Sequence, residues 1–244
     1  MMKKQIPPTL SVVIPVFNES ARISFLSEIV KYFRKQTYSV EIVLVNDGSK
    51  DNTLSLLKGY AKKNTEIKII SYAENRGKGH AIKMGMLQAK GKHRLFTDID
   101  LSTPLSEFKK FIPLLGKKEV IIGTRKNTDA SILVHQPFIR EYLGKCFTWI
   151  SRILLGVNLT DFTCGFKCFS AKAANDIFSR SQIERWGFDA EIMFIAHKRG
   201  YFIQEVSVIW RNDERTKVKL LSAAFKSFQE LLTIRLADIF GKYR

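Results

Sequence analysis

The sequence predicts an α/β fold: a single domain with a mostly parallel central sheet and helices on both faces. Three observations carry that expectation. Short β-branched runs alternate with amphipathic stretches through the first half of the chain, the pattern of strands joined by helical crossovers. The runs are apolar almost throughout, as strands covered on both sheet faces should be. No Gly-, Ser- or Pro-rich linker and no internal repeat divides the 244 residues, and a 45% hydrophobic composition can supply one substantial core.

Taken in order, the first strand is read at Leu10–Val16 (LSVVIPV), with an amphipathic stretch near Ala21–Lys35 behind it. Val40–Val45 (VEIVLV) leads into a helix at Thr53–Lys63, and Ile67–Tyr72 (IKIISY) into one at Gly79–Lys90. Arg94–Thr97 and Val120–Gly123 give two further strands, and Asp51 and Ser106 stand where helix N-caps are expected. Two later stretches repeat apolar residues at helical spacing. In Phe138–Leu155 the stripe is Ile139, Tyr142, Leu143, Cys146, Ile150, Ile153 and Leu154, with Trp149 beside it. In Lys219–Lys242 it is Leu221, Phe225, Phe228, Leu232, Leu236 and Ile239, flanked by Lys219, Lys226, Arg235 and Lys242. The expected organisation is a main unit over residues 1–217, holding the amphipathic helix 138–155, and a C-terminal amphipathic helix over 218–244.

In doubly wound folds ligands bind beyond the carboxyl ends of the strands. The polar loops fall there: Pro15-Val16-Phe17-Asn18-Glu19, Asn46-Asp47-Gly48-Ser49, Asn75-Arg76-Gly77-Lys78-Gly79 and Asp98-Ile99-Asp100. Asp98 and Asp100 are two apart, so in an extended segment both carboxylates share one side. Such hard oxygen ligands suit Mg²⁺ or Mn²⁺. Asp47 reads either as an acceptor for a nucleoside or as a cap for a turn or the helix near Asp51. Glu19 would serve the same nucleoside, with Phe17 as a flat apolar wall. In Arg76–Gly79 the glycines allow close backbone approach, and Arg76 and Lys78 bring charge to a phosphate; a basic turn capping the next helix is the alternative.

Lys and Arg number 40 against 23 Asp and Glu, a formal charge of +17 that attracts polyanions without choosing among them. Zinc-finger spacing, an RRM signature and an aromatic-basic stacking run are all missing from the sequence, so nucleic acid is not the expected partner. The first ten residues lack the apolar core of a signal peptide, and no stretch reaches the ~18 apolar residues of a spanning helix. Cys146, Cys164 and Cys168 are expected to be reduced packing residues.

The segments IPVFNE, VNDGSKDNT, ENRGKGHAIKMGM, FTDIDLSTP, IIGTR, TDFTCGFKCF and RWGFDAEIMFIA run in the order seen in polyprenyl-phosphate glycosyltransferases. The chain resembles these inverting enzymes of the GT-A (nucleotide-diphospho-sugar transferase) class, most of all the dolichyl-phosphate β-glucosyltransferases, and is similar to dolichyl-phosphate mannose synthases. The resemblance implies that Pro15, Glu19 and Asp47 hold the nucleoside of a UDP- or GDP-hexose, with glucose the favoured sugar; Phe17, Lys78 and Asp98 complete the expected nucleotide-sugar site. It implies Mg²⁺ or Mn²⁺ on Asp98 and Asp100, and catalytic roles for Asp100 and Asp161. Arg125, Arg140, Arg215 and Lys217 would meet phosphate, the acceptor being a polyprenyl phosphate. For Asp161 two roles stand open, general base and orienting partner of an arginine. The expected location is peripheral, on the cytoplasmic face of a membrane, with the two amphipathic helices either facing lipid or packing on the core or a second subunit; a homo-oligomer and a separate membrane partner both stand open. A soluble or glycan acceptor on the same fold is the alternative function.

Overall fold

The structure, a computed structural model, describes residues 7–126, 130–134, 138–212 and 220–244, without the side chains of residues 140 and 220–224. Its strands are β1 (Leu10–Val16), β2 (Val40–Asp47), β3 (Ile67–Tyr72), β4 (His93–Phe96), β5 (Val120–Thr124), β6 (Ser131–Val134), β7 (Lys167–Ser170), β8 (Ile203–Ser207) and β9 (Ile209–Arg211). The helices are α1 (Phe25–Arg34), α2 (Thr53–Lys63), α3 (Lys78–Gln88), α4 (Phe138–Leu155), α5 (Ala171–Arg180), α6 (Phe188–Lys198) and α7 (Leu220–Ile239).

A seven-stranded sheet runs in the order β3-β2-β1-β4-β7-β5-β8. All pairings are parallel except those of β7, which lies antiparallel between β4 and β5. A second, two-stranded sheet pairs β6 with β9. Strand alternation divides the core into two layers. Val13, Val43, Val45, Phe96, Val120, Ile122 and Phe169 face α3, α5 and α6. Val12, Ile14, Ile42, Leu44, Ile121 and Cys168 face α1, α2 and the 3₁₀ turns Leu105–Lys110 and Ile112–Leu114. Each such aliphatic or aromatic side chain contributes about 1.5–3 kcal/mol on burial.

Some boundaries differ from expectation. The stretch near Ala21–Lys35 divides into a 3₁₀ turn at Ser20–Arg22 and α1. Ser106 lies inside the Leu105–Lys110 turn, whose cap position is Pro104, and so caps nothing. Asp51 stands one residue ahead of the α2 cap position, Asn52, and from there accepts from the Thr53 amide at 3.0 Å. The three cysteines are free thiols, with Cys164 and Cys168 buried.

α4 and α7 pack on each other and on the core through Phe147 and Phe228, whose rings lie 5.8 Å apart. Leu231, Ile234 and Ala237 bury one face of α7. The expected stripe is largely the other face: Phe225, Leu232, Leu236 and Ile239 are each more than half exposed. On α4, Ile150 and Leu154 pack inward, whereas Phe138, Ile139, Tyr142, Trp149 and Ile153 stay exposed. Among the described residues no helix is long and apolar enough to cross a membrane. The boundary expected at residues 217 and 218 falls outside the described residues.

Candidate active site

The parallel strands β1 to β4 bring their carboxyl-end loops side by side, and the loops are knitted together by hydrogen bonds. Asn18, at a φ of 53°, donates its amide to Ser49 Oγ at 3.0 Å, and its Oδ1 accepts from the Lys50 amide at 2.8 Å. Glu19 donates its amide to Thr53 Oγ1 at 2.9 Å, and its carboxylate accepts from Arg22 Nη1 at 2.9 and 2.8 Å. Pro15 is half-buried in β1, and Phe17 is exposed beyond its end, an apolar surface at the mouth.

Asp47 is buried and wholly engaged. Its Oδ2 accepts from Asn75 Nδ2 at 2.7 Å and the Gly77 amide at 2.9 Å, and its Oδ1 from the Arg76 amide at 2.8 Å. The carboxylate therefore fixes the loop one strand over rather than its own turn. Gly48, at φ 66°, lets the two loops meet, since a side chain there would strike the main chain of Glu74 and Asn75.

The glycines after β3 work differently from the expectation. Any side chain on Gly77 or Gly79 would strike the carbonyls of Glu184 or Ile183, so the close approach is to the protein's own 183–188 segment. Arg76 is paired with Glu184, whose carboxylate also lies 3.3 Å from His80 Nδ1. Lys78 reaches inward instead, with Nζ 2.7 Å from Asp98 Oδ1.

β4 ends at Phe96, and Ile99 and Asp100 form a turn that Leu101 completes at a φ of 52°. The extended geometry expected for the Asp98–Asp100 pair is thus replaced by a turn, in which Asp100 Oδ1 accepts from the Ser102 amide at 2.9 Å. The two carboxylates remain neighbours: burial and then the charge of Asp98 push the Asp100 pKa up. Gly165 gives Asp98 its room, because a side chain there would overlap Asp98 Oδ2.

On the far side of β7, Arg125 leaves β5 and meets Asp161. Nε donates to Asp161 Oδ2 at 2.7 Å and Nη2 to Oδ1 at 2.9 Å, while Nη2 also reaches Thr163 Oγ1 at 2.8 Å. The guanidinium carbon lies 5.3 Å from the Trp210 ring centroid. Burial alone would raise the Asp161 pKa, but the Arg125 charge reverses that and holds the carboxyl well below its ordinary range. Asp161 is fully buried, and this fork geometry is the kind lysine cannot copy. The bidentate face of Arg125 is therefore turned to Asp161, not outward. Arg140 lies in α4 with its side chain outside the described residues, as are Arg215 and Lys217 entirely.

Three residues here went unassigned at the sequence level. Asp189, in the first turn of α6, is paired with the buried Lys167, which also donates to the Cys164 carbonyl at 2.7 Å. Burial raises the Asp189 pKa, and its charge is felt at both Lys78 and Arg125. Lys126 donates to the Gly144 carbonyl at 3.2 Å and so ties β5 to α4. The available signals were the acid of RWGFDAE and the lysine of GFKCF.

Residues 11–178 match the model of glycosyl transferase family 2. The chain is 31% identical over 249 aligned positions to a dolichyl-phosphate β-glucosyltransferase of Dictyostelium discoideum, covering 96% of this chain and 76% of that one. With the Saccharomyces cerevisiae protein of the same name it shares 35% identity, covering 96% and 76%. Glucosyl-3-phosphoglycerate synthase from Mycobacterium tuberculosis, solved with Mn²⁺, UDP and glucosyl-3-phosphoglycerate, superposes with a TM-score of 0.69 over 93% of this chain and 80% of that one. Identity there is 18%, so this likeness speaks for the GT-A fold alone. Family match, close relatives and topology converge: the chain belongs to glycosyl transferase family 2, alongside the dolichyl-phosphate β-glucosyltransferases.

Proposed function

We propose that the chain moves glucose from UDP-glucose to a polyprenyl phosphate of the dolichyl type, with inversion at the sugar and with Mg²⁺ or Mn²⁺. The observation that carries this reading is a half-buried arginine, Arg125, clamped by the buried Asp161 one loop away from the acidic pair Asp98 and Asp100. A cationic group beside a metal-type carboxylate pair suits the meeting of two phosphorylated substrates. The names of the relatives support the sugar and the lipid acceptor.

The residues present fit a divalent ion. Mg²⁺-type sites commonly use one or two carboxylates and take their remaining ligands from water and substrate phosphates. Among the described residues there is no cluster of three or more His, Cys, Asp or Glu suited to a metal. When bound, the ion would offset the charge growing on the leaving UDP.

The protein's own groups then divide the work. Pro15, Phe17 and Glu19 line the nucleoside end, and Asp47 shapes it by holding the Asn75–Gly77 loop. Lys78 and the start of α3 face the diphosphate, where helix amides and positive charge favour anions. A phosphate monoester is largely ionised at neutral pH, so the acceptor needs little help in losing a proton. Asp161, committed to Arg125, is a positioning residue in this scheme rather than a base. Arg125 meets the acceptor phosphate by the guanidinium edge that Asp161 does not take, in line with the sugar, with Arg140, Arg215 and Lys217 assigned beside it by resemblance, and alignment of the reactants is the main contribution. The exposed apolar faces of α4 and α7 are the proposed contact with the membrane that carries the lipid.

The test is direct. The 244-residue chain, radiolabelled UDP-glucose and Mn²⁺ are combined with either a polyprenyl phosphate in detergent or phosphoglyceric acid. Label in the organic phase is expected. Transfer to phosphoglyceric acid alone would overturn the lipid acceptor.

A further inference from the structure

Lys78 sits in an unusual position for a residue that faces a diphosphate: its ammonium is already on a carboxylate. Nζ lies 2.7 Å from Asp98 Oδ1, and Asp189 and Asp100 add to the negative field around it. The neighbouring Lys167 cannot take its place, because it is held by Asp189 and by the Cys164 carbonyl. Among the described residues Lys78 is the cation in contact with Asp98. The pair is partly open to solvent, with 23% of the Lys78 side chain and 33% of the Asp98 side chain exposed, so it can separate. Lys78 is also the first residue of α3, whose amino end attracts anions.

We propose that Lys78 is an exchangeable counter-ion. It neutralises Asp98 before substrates arrive, and it moves onto the donor diphosphate when a divalent ion takes over the Asp98 oxygen. The inference rests on the assignment of Asp98 and Asp100 as metal ligands. Its physical content is a linkage. Without nucleotide, an incoming ion must break an ion pair and leave the ammonium without a partner. With nucleotide, the ammonium regains an anionic partner, so ion and diphosphate each favour the other's binding. The exchange also conserves local charge, since the positive charge the divalent ion brings is met by the negative charge of the diphosphate that arrives with it.

Mn²⁺ binding to the 244-residue chain, followed by the EPR signal of free Mn²⁺ with and without UDP, tests this apart from turnover. For the wild type, UDP should tighten Mn²⁺ binding by roughly 10–100-fold. Lys78→Gln should bind Mn²⁺ alone roughly tenfold more tightly than wild type, and UDP should then tighten it much less. Lys78→Arg keeps the charge and should bind Mn²⁺ alone as weakly as wild type. Wild-type binding with UDP, but no gain in Lys78→Gln, would overturn the exchange and leave the metal assignment standing. An equal gain in Lys78→Gln and Lys78→Arg would also overturn it, since charge would not be the cause. No Mn²⁺ binding by wild type even with UDP would overturn the metal assignment, and the exchange with it.

Discussion

The two halves of the sheet hold their polar residues by different means. On the β1–β3 side, the loops are held chiefly by hydrogen bonds between side chains and main-chain amides: Asp47 binds the amides of Arg76 and Gly77, and Asn18 binds that of Lys50. On the β5–β7 side, charge is held by charge, with Arg125 on Asp161 and Lys167 on Asp189. Their surfaces differ in the same sense. Among the described residues ahead of β5, the large apolar side chains left exposed are Phe17, Leu56 and Ile112, scattered along the chain, whereas α4 and α7 expose two apolar faces. On the proposed reading, the first half is a fixed mould for a polar ligand. The second, on the same reading, keeps cations ready beside an apolar boundary.

The largest expected effect tests the ion-pair half. Asp161→Asn removes the fully buried partner of the largely enclosed Arg125 guanidinium, and breaking a buried pair costs about 3–5 kcal/mol. Urea unfolding measures the loss, and glucose transfer should fall with it. The pH dependence follows from the same pair. The folded Asp161 pKa lies below the unfolded value of about 3.9, so the pair's contribution is present above that pH and is lost as pH falls through the folded pKa. Wild-type stability should therefore drop below about pH 4 more steeply than that of Asp161→Asn. A loss under ~1 kcal/mol, the level of an exposed pair, would erase the contrast between the halves.

Next comes the inner face of α7. Leu231→Ala opens a cavity in the core shared with α4 and the sheet and should cost about 2–5 kcal/mol by the same unfolding measurement. If the cost were negligible, α7 would be an appendage rather than part of the second half's architecture.

These two positions also mark what the sequence reveals and what it withholds. β1, β3, α2 and α4 have the bounds read from periodicity and β-branched runs. α6 escaped notice because every residue from Phe188 to Ala196 is buried, and a helix covered all round has no amphipathic period to detect. β7 escaped because it is four residues long and contains Lys167, whose charge is buried only with a partner 22 residues away. The candidate residues were legible because strand ends place polar loops together in this topology. Their pairings were not: Asp47 meets its loop 28 to 30 residues on, and Arg125 meets Asp161 36 residues on, distances at which spacing carries no information. For the same reason the sequence left open whether Asp161 is a base or an orienting group, a question its hydrogen bonds address.

Asp47→Asn tests the mould. One carboxylate oxygen becomes an amide nitrogen facing donors, which should cost about 1–3 kcal/mol in thermal unfolding. UDP affinity by calorimetry should fall while the acceptor KM stays near wild type. A change in acceptor KM equal to that in UDP affinity would mean that the halves are not separable in function.

The smallest effect on the folded state is expected one residue from a large one. Leu232 follows Leu231 in α7, but it is 55% exposed where Leu231 is fully buried. Leu232→Ser removes no core contact, so stability should stay within about 0.5 kcal/mol of wild type. Its consequence should lie elsewhere. Leu232, Leu236 and Ile239 share a stripe with Phe225, and the basic Arg235 lies beside them. If that stripe meets lipid, each apolar side chain adds hydrophobic burial and the flanking cation adds attraction to anionic headgroups. Sedimentation with phosphatidylserine-containing vesicles should then show weaker binding for Leu232→Ser and no loss of UDP affinity. A stripe that joins two copies of the chain would instead leave vesicle binding unchanged and shift the sedimentation-velocity profile toward the monomer. The neighbouring pair thus separates what holds the second half together from what it presents to its surroundings.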